Sequence, residues 1–172
     1  MSPIAIIDFE APALSFHVRP IEVGLAIWHL DGPIRIWSSL IQRDQDDLWS
    51  DQSEAIHKIA HKDLEGAPSA DRVAVTLNSL LAPIGSAFCD GMPFDEIWCR
   101  ILFQDVDLKR DFELLPMEML PLLDGARMVK WLRSNKDVPH RAGPDALRLM
   151  RAYAYSLKQR PAIEEIDPQR MP

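Results

Sequence analysis

The chain has 172 residues, of which 47% are apolar and 26% are charged, and its formal net charge is −7. This length suits one well-buried core, and no stretch approaches the roughly 20 apolar residues that a membrane-spanning helix requires. The two cysteines lie in apolar surroundings and indicate reduced core thiols instead of a disulfide framework. The negative net charge argues against a protein that coats long nucleic acid through general electrostatic attraction. Because the N-terminus has no basic leader, we expect a cytoplasmic protein with no membrane partner.

In chain order, the hydrophobic pattern predicts an α/β chain. A β-branched apolar run at residues 4–7 indicates a strand buried on both faces. Asp31-Gly32 indicates a hairpin between the next two strands, because both residues tolerate a positive φ. The predicted strands are residues 4–7, 22–30, 34–41, 86–89 and 112–115, and the predicted helices are residues 53–59, 69–81, 93–103, 117–132 and 144–158. This order predicts a mixed five-stranded sheet flanked by helices, in a single domain over residues 1–160 with a flexible tail over residues 161–172.

The first candidate site residues follow the predicted first strand. Side chains two residues apart on a strand point to the same face, so Asp8 and Glu10 would emerge together at the strand's carboxyl end. Open α/β sheets place their ligands at that end. Two adjacent carboxylates repel each other unless a cation lies between them, and Mg²⁺ favours such oxygen ligands. Asp-x-Glu is nevertheless a common chance pattern.

Two later segments place an acid near the start of a predicted helix. Asp95 lies after a strand–helix junction that also contains Asp90, and Asp145 follows His140 by five residues. The helix dipole alone favours an acid at such a position, so each acid also has a purely structural explanation. The imidazole of His140 can accept a proton from water, which makes it a candidate general base. The order Asp-x-Glu, Asp, His-x4-Asp predicts one site if these segments converge on one edge of the sheet.

This order resembles the DEDDh exonucleases, a group named for four acids and a histidine. The group includes the proofreading subunit of bacterial replicative DNA polymerase and the RNase T and oligoribonuclease type enzymes. The matching segments, spread over most of the chain, are residues 6–10 (IIDFE), 19–26 (RPIEVGLA), 55–59 (AIHKI) with Leu64 and Pro68 after it, 94–95 (FD) and 140–146 (HRAGPDA). Ala11-Pro12-Ala13 departs from the Thr-Thr-Gly that the family often has after its first Glu. The resemblance implies the ribonuclease H-like fold.

The resemblance also implies a role for each matched residue. The implied ligands of two Mg²⁺ or Mn²⁺ ions are Asp8, Glu10, Asp95 and Asp145, with Asp90 replacing Asp95 if the motif register is shifted. His140 would be the general base for the attacking water. The expected substrate contacts are Phe9, Ala11, Trp49, His57 and Arg141. The implied reaction is 3′→5′ exonuclease cleavage of single-stranded RNA or DNA ends, which releases nucleoside 5′-monophosphates.

Several alternatives stay open at this stage. One alternative is that the chain is a catalytically inactive module of the same fold that binds nucleic acid or protein. Another is that it is an unrelated metal-dependent hydrolase of small phosphate esters. The choice between RNA and DNA is open, as is a homodimer. Residues 127–160 carry a net charge of +7 against −14 for the rest of the chain, which fits a substrate gripped at one place.

Overall fold

The computed structural model describes residues 2–43, 48–121 and 123–167. The strands are β1 (Ile4–Glu10), β2 (Glu22–Trp28), β3 (Ile34–Leu40), β4 (Ser86–Cys89), β5 (Glu113–Pro116) and β6 (Ile163–Glu165). The helices are α1 (Asp51–His57), α2 (Ala70–Leu81), α3 (Phe94–Asp105), α4 (Gly125–Ser134) and α5 (Ala142–Ser156), with short 3-10 helices at His61–Leu64 and Met117–Met119. Among the described residues, no helix combines the length and the apolar character that crossing a bilayer requires.

The strands form one mixed sheet in the order β5-β4-β1-β2-β3-β6. β1, β2 and β3 are antiparallel neighbours, whereas β1–β4, β4–β5 and β3–β6 pair in parallel. The prediction of a mixed α/β sheet flanked by helices is confirmed.

The predicted number of five strands is wrong, because β6 adds a sixth strand beside β3. It lies inside the segment that we expected to be a flexible tail. β6 has only three residues, and backbone hydrogen bonds at its ends, from Ile34 N to Ala162 O and from Ile166 N to Ile36 O (both 2.7 Å), join it to the β3 edge. A short, charged segment that joins a sheet through backbone hydrogen bonds shows no alternation of apolar side chains. The sequence pattern therefore did not predict this strand. Residues 168–172 of the predicted tail lie outside the described residues.

The structure also differs from some predicted boundaries of strands and helices, and from the predicted reason for the hairpin. β1 extends to Glu10, so Asp8 and Glu10 belong to the strand instead of following it. The helix predicted at residues 117–132 is a 3-10 turn followed by α4, which begins where the Asp124 side chain accepts a hydrogen bond from Arg127 N (3.0 Å). The hairpin between β2 and β3 exists, but its connection has no residue with a positive φ.

The sheet has a hydrophobic cluster on each face. Even-numbered residues of β1, such as Ile6, pack with Trp28 and with Met150 and Tyr153 of α5. Odd-numbered residues of β1, such as Ile7, pack on the opposite face against α2 and α3. β1 is therefore buried on both sides, as predicted, and its even-numbered Asp8 and Glu10 lie on the α5 side.

Candidate active site

The predicted acids come together at the carboxyl end of β1. Ligand atoms of Asp8, Glu10 and Asp145 all lie within 4.8 Å of one another. Ligand atoms of Asp8, Asp90 and Asp95 form a second group with the same spacing. The two groups share Asp8, so four carboxylates from β1, α5 and the β4–α3 junction surround this one strand residue.

A clamp between β2 and the start of α5 positions Asp145. Glu22 is only 3% exposed, and its carboxylate accepts hydrogen bonds from Arg141 Nε (2.8 Å), Arg141 Nη2 (2.7 Å) and Ala142 N (3.0 Å). Gly24 lies against the same turn, since a Cβ there would stand 2.0 Å from the Ala142 carbonyl carbon. Our sequence interpretation noticed Glu22 and Gly24 only as part of a motif. The signal that would have identified the clamp is a lone acid in an otherwise apolar, fully buried strand, because such a charge needs a partner.

The clamp also occupies Arg141, for which we predicted a substrate contact. Both of its guanidinium donors named above are directed at Glu22, and this hydrogen bonding raises the pKa of Arg141. The Arg141 charge is therefore used inside the protein, where it offsets that of the buried Glu22.

The carboxylates on the Glu10 side are destabilised as charged groups. Burial raises the pKa of Asp8 well above its usual range, and the charges of Asp95 and Glu10 raise it further. Burial, followed by the charge of Glu22, raises the pKa of Glu10 to about 7. Burial also raises the pKa of Asp145. Crowded acids of this kind are stabilised in the charged form by a cation between them.

The β4–α3 junction brings both Asp90 and Asp95 to Asp8. Asp95 is 2% exposed, and its Oδ2 accepts a hydrogen bond from Gly91 N (3.1 Å). Burial, followed by the charge of Asp90, raises the pKa of Asp95 to about 7. Asp90 is the more exposed of the two, and burial of its carboxyl raises its pKa as well. Both alternatives for the third acid therefore lie within reach of one cation.

His140 lies at the solvent side of these acids. Its side chain is 69% exposed, and its Nδ1 is 4.0 Å from Asp145 Oδ2. The charge of His140 lowers the pKa of Asp145, against the larger effect of burial. The histidine is thus close to one acid of the site and open to water, which is the placement that proton transfer from water requires.

The predicted substrate contacts fall into two groups. Phe9 and Ala11 are 3% and 6% exposed and pack in the cluster on the α2 and α3 side, so their side chains serve the core. Trp49 lies partly exposed, its Nε1 donates to Glu54 Oε2 (2.6 Å), and its ring stacks on His61 with a centroid distance of 4.2 Å. The Trp49 ring also meets His57 edge to face at 6.4 Å.

His57 is 2% exposed and has one satisfied ring nitrogen. Its Nδ1 accepts a hydrogen bond from Ile59 N (3.0 Å), so the neutral ring carries its proton on Nε2. Nε2 is buried and has no hydrogen-bond partner among the described residues. Burial lowers the pKa of His57, and the charges of Glu54, Glu22 and Arg141 act on it more weakly. His57 therefore lies within electrostatic range of Glu22 and Arg141, the two residues of the clamp.

No family model matches the chain, and no curated protein matches it. Several solved structures match the chain. Escherichia coli Exonuclease I in complex with a dA16 oligonucleotide matches with a TM-score of 0.70 and 14% identity, over 90% of this chain and 41% of that chain. The zinc-bound form of the E. coli Exonuclease I–ssDNA complex matches with 0.65 and 15%, over 90% and 40% of the two chains. Exonuclease I from Methylocaldum szegediense matches with 0.65 and 13%, over 90% and 42%.

The chain spans about two-fifths of the length of these structures. Over that part, the chain and these structures share the arrangement of their strands and helices. The acidic cluster of the chain fits the resemblance to the DEDDh group. The chain has the ribonuclease H-like fold of the Exonuclease I structures.

Proposed function

We propose that this chain is a metal-dependent exonuclease that hydrolyses the terminal phosphodiester bond at the 3′ end of a single strand and releases nucleoside 5′-monophosphates. The observation that carries the proposal is that Asp8 belongs to two clusters of carboxylates. Within each cluster, the ligand atoms lie within 4.8 Å of one another. Two adjacent cation sites with a common ligand suit the two-metal arrangement of phosphodiester hydrolases, in which the ions are about 3.5–4 Å apart. The fold shared with oligonucleotide complexes of Exonuclease I supports the same assignment.

The residues fit two hard divalent cations. Every ligand atom in both groups is a carboxylate oxygen, the donor that Mg²⁺ and Mn²⁺ prefer. Glu10 and Asp145 would hold one ion together with Asp8, and Asp95, aided by Asp90, would hold the other. When bound, the ions orient the attacking water and offset the charge on the phosphate and on the leaving 3′ oxygen.

The proton of the attacking water goes to His140 in this proposal. The start of α5 is held by Glu22, so His140 and Asp145 keep a constant position relative to Asp8. The exposed ring can accept a proton from water at the site and pass it to solvent.

The 3′-terminal nucleotide would meet Trp49 and His57. The indole of Trp49 is partly exposed, and a base would stack on the ring face away from His61. The Nε2–H of His57 is a buried donor that lacks a partner among the described residues, and a polar atom of the terminal nucleotide would satisfy it.

The test is a degradation assay with matched 5′-labelled DNA and RNA oligonucleotides in the presence of Mn²⁺, Mg²⁺ or EDTA. We expect a ladder of products that shorten stepwise from the 3′ end, only with metal. Asp145→Asn should abolish the ladder, whereas Asp111→Asn, which removes an exposed carboxylate in an ion pair with Lys109, should retain it. Release of phosphate from a small phosphomonoester without any ladder would defeat the proposal, as would a ladder that persists in EDTA.

A further inference from the structure

A large cleft lies beside the acidic cluster on the α5 side of the sheet. It has a volume of about 680 Å³ and lies between α4, α5 and the strands β3 and β6 at one side of the sheet. Its lining residues include Trp131, Lys136, Gly143, Pro144, Arg148 and Arg151. Two acidic residues, Asp137 and Glu165, line the cleft as well. A smaller cleft of about 260 Å³ shares Trp131 and Arg151 and adds Tyr155 and Arg160. We refer to the two together as the α4–α5 cleft.

The α4–α5 cleft begins at the candidate active site. Gly143 and Pro144, which line it, share the first turn of α5 with Asp145. Arg148 follows one turn later, and its charge lowers the pKa of both Asp145 and Asp90, against the larger effect of burial. Arg151 lies about 9 Å farther than Asp145 along the helix axis, at 1.5 Å per residue. The cleft therefore extends farther from the carboxylates than the terminal nucleotide of a bound nucleic acid would reach. Only the nucleotides that precede the terminal one would lie in it.

Arg148 also fixes the wall of the cleft. Its Nε donates to Asn135 O (2.9 Å) and its Nη2 donates to Leu132 O (3.2 Å), at the C-terminal end of α4. These bonds tie α4 to α5 at the base of the loop that runs from Asn135 to His140. The cleft and the candidate base are thus held by the same segment.

The cleft combines an aromatic surface with exposed cations. Trp131 is partly exposed and lines both parts of the cleft. Lys136, Arg151 and Arg160 are exposed, and none of them forms an ion pair with residues 2–43, 48–121 or 123–167. Most of the lining residues belong to the segment 127–160, which has a net charge of +7 in a chain whose total is −7. Interleaved cations and aromatic rings are the chemistry by which proteins hold single strands.

We propose that the α4–α5 cleft binds the part of the single strand that lies 5′ of the scissile bond. Trp131 stacks on a base, and Lys136, Arg151 and Arg160 neutralise backbone phosphates. This inference rests on the proposed exonuclease function, because it assigns the cleft to the substrate of that same site.

The first test measures binding separately from cleavage. Fluorescence anisotropy with a 5′-labelled oligothymidylate in EDTA compares wild type, Trp131→Ala, Arg151→Gln and Arg72→Gln, a control cation exposed on α2 on the opposite face of the sheet. We expect Trp131→Ala to weaken binding on the order of tenfold. Arg151→Gln, an exposed change that spares the core, should reduce the slope of log K against log salt by about 0.7, the value for one phosphate contact on a single strand. Unchanged affinity and slope in both cleft variants would overturn the proposal and leave the cleft to another kind of partner.

The second test measures cleavage with Mn²⁺ for a dinucleotide and a dodecanucleotide. In Arg151→Gln, the ratio of kcat/KM for the long substrate to that for the short one should fall, because only the long strand reaches along the cleft. The ratio should stay constant in Arg72→Gln. A ratio that does not change in Arg151→Gln overturns the proposal. If wild type cleaves neither substrate, the exonuclease proposal fails, while the anisotropy result still decides whether the cleft binds a strand.

Discussion

Replacing Glu10 with Gln should make the metal-free protein less sensitive to pH. Glu10 is partly buried, and its pKa rises from 4.5 to about 7 in the folded protein. The folded state therefore holds this proton more tightly than the unfolded state, so stability is greatest below pH 4.5 and falls as the pH rises towards 7. A rise of the pKa from 4.5 to about 7, at about 1.4 kcal/mol for each tenfold change in proton affinity, corresponds to roughly 3 kcal/mol of unfolding free energy. Glu10→Gln removes this loss.

The assay is urea unfolding in EDTA between pH 4.5 and 7.5, followed by tryptophan fluorescence. Relative to their difference at pH 4.5, Glu10→Gln should gain about 3 kcal/mol over wild type by pH 7.5. Glu113→Gln, which removes an exposed carboxylate of β5, is the matched control and should track wild type. Saturating Mn²⁺ should offset most of this difference at pH 7.5, because wild type gains the free energy of binding, about 2.7 kcal/mol at a hundredfold excess over Kd. Parallel pH profiles of wild type and Glu10→Gln in EDTA would refute the reasoning.

Two other predictions follow from the same geometry. His140→Ala should lower turnover by about 10²–10⁴-fold with little change in Mn²⁺ affinity measured by calorimetry, whereas Asp8→Ala should lose both, since Asp8 belongs to both carboxylate groups; equal loss of metal binding in the two variants would contradict these roles. Gly24→Ala should lower the unfolding free energy by about 3 kcal/mol, because its Cβ would overlap the Ala142 carbonyl carbon at 2.0 Å. Gly125→Ala, where a Cβ meets nothing within 4 Å, is the control, and equal stabilities of the two variants would show that α5 yields to the added methyl group.

The periodicity of side chains predicted the part of the site that depends on local geometry. Asp8 and Glu10 were expected on one face of a buried strand, and they lie there because alternate residues of a strand share a face. The strand β6 was not predictable in this way, since it forms through backbone hydrogen bonds to β3 and contains only three residues. The hairpin at Asp31 was predicted because Asp and Gly tolerate a positive φ. The hairpin forms, but no residue of its connection has a positive φ.

Side-chain roles that depend on distant partners were beyond the reach of local patterns. Arg141 was predicted to contact substrate, but its guanidinium binds Glu22, which lies 119 residues away. Phe9 adjoins two site acids in sequence, yet strand alternation directs its ring to the opposite face, into the core. That alternation was already present in the argument for Asp8 and Glu10, so the core position of Phe9 could have been predicted from the same rule.

The pairing of β1 with β2 explains why the acidic pair and the clamp lie side by side. In this register Glu10 pairs with Glu22 and Asp8 pairs with Gly24. All four residues lie on the face that receives α5, because each pair spans two residues of its strand. Glu22 binds the first turn of α5, and the missing side chain at Gly24 lets that turn approach the sheet beside Asp8. A side chain at this position would hold the helix away from the sheet and withdraw Asp145 from Asp8. The Asp-x-Glu of β1 and the Glu-x-Gly of β2 therefore act as one unit, in which the first supplies the carboxylates and the second sets the distance of the helix that completes them.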